Sequence, residues 1–288
     1  MIQQATGPQK RIINEPLSEI RTAARAAMRG RMGLLIASVA LFSLCLSIPV
    51  TIVEEITGFW SILDIATHEY VEIVFGSMPS VDYAAINDWA QYYSDKMMPS
   101  LATFIFLLIV PGPLELGIST IWLQVLRGKE AYADMVFSGF GSFLHALLLH
   151  LFRCVFIVLW SLLLLIPGII AMYRYSLAFF LLADNPGMPP LTALTYSKYY
   201  MQENKGNRFV LDLTFLGWAL LGYILMMLIE PSILSVIVSS GYDPGLFVQF
   251  LVSSILSAII YSPIIAYRGI ASAEYYHRVI CRAPHSFT

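Results

Sequence analysis

Charge is scarce in this sequence: only 12% of its 288 residues are Asp, Glu, Lys or Arg, against roughly 25% in an average soluble domain. With 58% hydrophobic residues alongside, that deficit excludes a water-soluble globule. A formal net charge of −2 supplies no basic excess to attract nucleic acid, and there is no C-x-x-C, finger or RNA-binding motif, so no nucleic-acid partner is expected. Cysteine is sparse too. Cys45 and Cys154 sit inside apolar runs and Cys281 lies near the end, a scattered, odd set that reads as packing residues rather than a disulfide framework or metal cage. The sequence also lacks H-E-x-x-H, G-x-S-x-G, a Walker loop and the clustered Asp motifs of membrane phosphoryl or glycosyl transfer. Neither an enzyme nor a cofactor is expected. His68 and Glu72, four apart, are too few for a metal site.

Long apolar runs are what the sequence has in abundance. Crossing the hydrocarbon core takes roughly 20 apolar residues in helix, because no backbone polar group can stay unpaired in lipid. Five regions qualify: Met32–Val53, Pro99–Leu123, Phe143–Asp184, Phe209–Ile229 and Gly245–Tyr267. The first follows a basic stretch ending at Arg31, is too long for a signal-peptide core and has no obvious cleavage site, so it reads as a retained span. The third is about twice the needed length and is cut by Ile166-Pro167-Gly168, which predicts two helices joined by a tight hairpin at Pro167-Gly168.

Six spans require Lys and Arg to collect in alternate loops. With the N-terminus inside, the inner segments hold Lys10, Arg11, Arg21, Arg25, Arg29, Arg31, Arg127, Lys129, Lys198, Lys205, Arg208, Arg268, Arg278 and Arg282, which is 14 of the 17 basic residues. The first outer loop instead carries eight acids, beginning with Glu54 and Glu55. The expected architecture is an all-α, polytopic transmembrane helical bundle of about six spans, with both termini cytoplasmic. Residues 1–31 form a cytoplasmic segment, 32–283 the transmembrane domain with its outer loop at 54–98, and 284–288 a tail.

The parts outside the spans show their own periodicity. Leu17, Ile20, Ala24 and Met28 share one helical face, flanked by a stripe of Arg21, Arg25 and Arg29. This fits an amphipathic helix lying on anionic inner-leaflet lipid, or a solvated lead-in that follows the positive-inside rule. The chain before Asn14 reads as disordered. In the outer loop, Phe59, Ile62, Leu63, Ala66, Tyr70, Ile73 and Val74 mark one amphipathic helix, and Val81, Ala85, Trp89, Tyr92 and Tyr93 a second, parted at Met78-Pro79. Tyr132, Val136 and Phe140 recur every fourth residue, and Tyr196, Tyr199 and Tyr200 flank Lys198, both suited to headgroup depth.

Ionisable residues inside spans are the candidate functional residues, since each is costly there unless paired or hydrated. Glu115, Arg153, Arg174 and Asp212 stand out, with Asp184 nearer the cytoplasmic surface. At 1.5 Å per residue, Glu115 and Arg153 fall at similar depths of roughly 12 to 15 Å and are able to pair. These five either line a polar binding pocket or form structural ion pairs. Arg21, Arg25, Arg29 and Lys198 are the candidate lipid-surface contacts. Two functions follow: a non-enzymatic membrane module that binds lipid or a membrane protein partner, or a small-solute transporter with its pocket around Glu115, Arg153, Arg174 and Asp212.

Between Phe137 and Gly222 the chain resembles a bacterial integral membrane family, domain of unknown function 975 (DUF975). The resemblance rests on Phe137-Ser138-Gly139-Phe140, Leu159-Trp160-Ser161-Leu162-Leu163, Ile166-Pro167-Gly168-Ile169-Ile170, Tyr173-Arg174-Tyr175, Ala183-Asp184-Asn185-Pro186 and Phe215-Leu216-Gly217-Trp218. Ile20–Gly33 and Pro113–Gly117 look like the family as well. One departure falls at Met201-Gln202-Glu203, where the family usually has glycine two after the methionine. The resemblance implies a bacterial plasma-membrane protein and supplies no catalytic residues. It also suggests that Asp184 or Asn185 caps the helix that follows, and that Trp218 packs in the bundle.

Overall fold

The computed structural model describes residues 12–76, 82–94, 100–239 and 245–280. Among them there are thirteen α-helices, one 3₁₀ helix and no strand. The first seven are α1 (Leu17–Met28), α2 (Met32–Ile56), α3 (Phe59–Gly76), α4 (Tyr83–Ser94), α5 (Leu101–Ile109), α6 (Pro111–Leu126) and, after the 3₁₀ helix Ala133–Ser142, α7 (Phe143–Leu163). The remainder are α8 (Leu165–Arg174), α9 (Ala178–Asp184), α10 (Pro190–Met201), α11 (Lys205–Leu213), α12 (Leu216–Ser239) and α13 (Gly245–Ile280). Six segments are long and apolar enough to cross a membrane: Met32–Ile56, Leu101–Leu126, Ala133–Leu163, Leu165–Asp184, Lys205–Ile233 and Phe247–Ile280. The expected all-α fold with six spans is therefore what the structure shows.

The helices group into two compact units, one formed by 1–42, 108–223 and 258–288 and the other by 43–107 and 224–257. In the first, α6 is the central element, with eleven of its sixteen residues buried. Glycine makes this possible. A Cβ on Gly117 would run into the Val136 carbonyl, and one on Gly139 into the Pro113 carbonyl, so the 3₁₀ helix lies backbone to backbone against α6. The ten-residue length of that helix is unusual, since 3₁₀ runs rarely exceed 3–4 residues. Its side chains repeat every third residue: Val136 and Gly139 are buried, with Ala133 and Ser142 half-buried in line with them. The fourfold repeat expected at headgroup depth is thus corrected. Tyr132 and Phe140 point outward, and only Val136 of that set packs inward.

The division between α7 and α8 falls at Leu164, whose extended backbone (φ −164°, ψ 151°) interrupts the helix. This shifts the expected hairpin. Pro167 occupies the first turn of α8, where an N–H has no partner within the helix and its absence costs nothing. Gly168 lets α8 close against Ser161 of α7.

Three further expectations change. The apolar face of α1 is covered by protein rather than left for lipid, with Ile20, Ala24 and Met28 all buried. The chain before Asn14 is anchored as far back as Ile13, which is buried; its N–H donates to Asn204 Oδ1 at 3.0 Å and its carbonyl accepts from Asn207 Nδ2 at 2.6 Å. Lastly, α13 continues to Ile280, well past Tyr267, with Ile270, Ala271, Ala273, Tyr275, Tyr276 and Val279 buried. Residues 1–11, the Met78-Pro79 break, Val81, Cys281 and the tail 284–288 lie outside the described residues.

In the second unit, α3 and α4 match the two helices expected in the outer loop. Ala66 is fully buried, and its carbonyl accepts the Trp89 indole N–H at 2.9 Å, while Tyr70 and Tyr93 flank the same indole. The Tyr93 phenol is held above its ordinary pKa by its hydrogen bond to Glu69, with burial and the Glu69 charge adding to the effect. Trp60 stacks on Phe250 at 4.1 Å and donates to the Thr51 carbonyl.

Candidate functional site

The charged residues expected inside the spans all lie in the first unit, where the structure distributes them over separate interactions. Arg153 on α7 meets Glu115 on α6 in a two-pronged fork, with Nη1 donating to Oε1 at 2.5 Å and Nη2 to Oε2. The Arg153 guanidinium also lies over the Phe179 ring, 4.6 Å from its centre. Asp184, at the end of α9, accepts both Arg127 Nη groups at 2.6 and 2.8 Å and the Tyr276 hydroxyl at 2.8 Å. It is therefore occupied by α6 and α13 and does not cap α10, whose N-cap position is Pro189 with no side-chain cap.

Asp212 on α11 is held between two arginines. Arg268 donates through Nε and Nη2 at 2.9 and 3.2 Å, and Arg208 Nη2 lies 3.4 Å away. Arg208, counted from sequence among the inner-loop cations, is 6% exposed; it also donates to Ser272 Oγ at 2.6 Å. Arg174 has a different surrounding: its guanidinium sits 5.5 Å from the centre of the Trp160 ring, a cation–π contact, and its carbonyl accepts the Ser197 hydroxyl. At the chain ends, Arg278 donates to Glu15 and, at 2.7 Å, to Glu274.

Bidentate guanidinium–carboxylate pairs are strong, directional contacts that neutralise charge where water is scarce. Here they tie α6 to α7, α6 to α9, and α11 to α13. None of these pairs presents a nucleophile with an adjacent base, and among the described residues no group of three His, Cys, Asp or Glu side chains is placed to hold a metal.

Against this background of paired arginines, α1 is distinct. Among the described residues Arg21, Arg25 and Arg29 form no ion pair; Arg25 donates at 3.2 Å to the neighbouring Thr22 hydroxyl. Lys198 is likewise exposed on α10. Arg25 and Arg29 border a groove of about 430 Å³ whose walls are Met28, Met32, Phe215, Trp218, Pro263, Ile264 and Tyr267. Trp218, expected in the bundle interior, is 56% exposed and forms part of this wall. Sequence reasoning found the arginines but not the groove, because Phe215 and Tyr267, far apart in the chain, meet edge to face only in the fold.

A buried carboxylate in the second unit was also missed. Glu54 is 3% exposed and accepts the Ser100 N–H at 3.1 Å, the Ser100 hydroxyl at 3.3 Å and the Thr103 hydroxyl. It therefore sits at the N-terminus of α5, where free N–H groups and the helix dipole favour a negative charge. The Ser100-x-x-Thr103 spacing was the available signal. In the same unit Glu230 accepts from Ser253.

Fold and site together define a polytopic helical membrane protein stitched by internal ion pairs. The chain belongs to the family described as protein of unknown function (DUF975), which it matches over residues 15–283. No curated protein and no solved structure matches it.

Proposed function

We propose that this chain is a non-enzymatic module of the bacterial plasma membrane, with both termini cytoplasmic, that engages anionic inner-leaflet lipid through α1 and Lys198. One contrast carries this reading. Arg127, Arg153, Arg208, Arg268 and Arg278 are paired with carboxylates of the protein, whereas Arg21, Arg25 and Arg29, on and just after α1, have no carboxylate partner among the described residues and are available to an anion from outside. Since the apolar face of α1 is already buried in the protein, the helix is a fixed platform for those charges rather than a free membrane anchor. A membrane protein partner would meet the same basic surface. The small-solute transporter reading requires the Glu115–Arg153 and Asp212 pairs to open, and in the structure both carboxylates are held by arginines of the protein.

The test combines lipid composition with topology. The full chain, extracted in mild detergent, is expected to retain anionic over zwitterionic phospholipid, and Arg21→Gln, Arg25→Gln and Arg29→Gln together should weaken that preference, each charge near an anionic surface being worth about 1 kcal/mol. Equal retention of both lipid classes by the wild type refutes the proposal. In a background lacking the native cysteines, Asp88→Cys should react with an impermeant thiol reagent added to intact cells and Gln202→Cys should not. Gln202 is exposed, whereas its neighbour Asn204 is fully buried and would be silent on either side.

A further inference from the structure

We infer that the groove bordered by Arg25 and Arg29 is a discrete binding site for one anionic glycerophospholipid, with the phosphate between the two guanidinium groups and an acyl chain along the apolar wall. The inference rests on the lipid-binding reading above and goes beyond it, since diffuse attraction of a basic helix to a charged surface needs no groove.

Three observations converge. The groove volume of about 430 Å³ falls within the range of roughly 300 to 1,000 Å³ typical of small-molecule sites. Its chemistry is divided as a phospholipid is divided. The wall is almost wholly apolar, and at its border Arg25 and Arg29, one helical turn apart, are exposed cations without a carboxylate partner among the described residues. Moreover, the arginine edge meets the apolar wall where a span begins: Met32, on the wall, is the first residue of the span Met32–Ile56 and follows Arg29 by three residues. That is the depth of the headgroup–acyl boundary, where Trp and Tyr are enriched and arginine reaches phosphate. A soluble anion would gain from the arginines alone and leave the wall empty, so the whole site fits the lipid rather than its headgroup.

Native mass spectrometry of the full-length protein, incubated with phosphatidylglycerol or phosphatidylcholine of the same acyl chains, tests the assignment. The wild type should hold one phosphatidylglycerol preferentially, and soluble glycerol 3-phosphate should not displace it. Arg25→Gln with Arg29→Gln, both exposed and free of ion pairs among the described residues, should lower that first occupancy roughly 30-fold, as expected for two surface charges. Met32→Trp, which fills the groove and leaves both arginines in place, should also lower it, with an unchanged melting temperature showing that the fold persists. If the arginine changes reduce binding while Met32→Trp does not, or if glycerol 3-phosphate competes, the groove site is overturned while the basic-surface reading stands. If the wild type shows no preference for phosphatidylglycerol, both fail.

Discussion

Removing Glu115 or Arg153 singly should be among the more damaging point changes in the chain, and removing both together should be milder than either. The fork uses both carboxylate oxygens and both terminal guanidinium nitrogens, so Glu115→Leu leaves a cation facing the Phe179 ring, and Arg153→Met leaves an anion with no donor in its place. Breaking a buried pair from one side costs on the order of 3 to 5 kcal/mol, because the remaining ion keeps its desolvation penalty and loses its partner. Glu115→Leu with Arg153→Met removes both penalties and preserves much of the volume, so most of that loss should be recovered, giving a coupling energy above about 3 kcal/mol. The assay is thermal unfolding in detergent of the wild type, both singles and the double, followed through the tertiary fold. Additive losses, with the double change as damaging as the two singles combined, would refute direct pairing. Singles that fold as stably as the wild type would refute a structural role.

Two other changes probe backbone geometry. Glu203 has a φ of +70°, a left-handed conformation that is strained for an L-residue by about 1 to 2 kcal/mol, so Glu203→Gly should raise the melting temperature modestly, by less than that figure because glycine gains freedom in the unfolded chain; a lowered melting temperature would show that the side chain contributes more than the strain costs. Gly139→Ala should destabilise by about 1 to 3 kcal/mol through overpacking against α6, while Gly141→Ala, whose new methyl would have open space, should be nearly neutral, and equal effects of the two would contradict the close approach.

The span count was legible because an apolar run of membrane length leaves a helix few alternatives, and proline and glycine marked where the longest run divides. The meeting of Glu115 with Arg153 was legible from depth alone, since helices of fixed rise put equal residue counts at equal heights. What escaped was set by tertiary contact. A threefold 3₁₀ stripe through Val136 and Gly139 cannot be told from a fourfold one over so few residues until Gly117 shows what the stripe packs against. Glu54 resembled the other outer acids because Ser100 and Thr103, which satisfy it, are 46 and 49 positions away. The departure at Glu203 was visible as a missing glycine, and its meaning lies in the positive φ: the turn after α10 requires a conformation that glycine adopts freely, and this chain adopts it with glutamate.

The anchoring of Ile13 orders events during biogenesis. Its partners Asn204 and Asn207 are synthesised 191 and 194 residues later, and the Arg278 that holds Glu15 comes 263 residues later. At an elongation rate of roughly 5 to 20 residues per second, the N-terminal segment waits about 10 to 40 s for its first partner. The early spans must therefore enter the bilayer while the segment ahead of them is still undocked, and the two ends of the chain fasten together only after the last helix has been made.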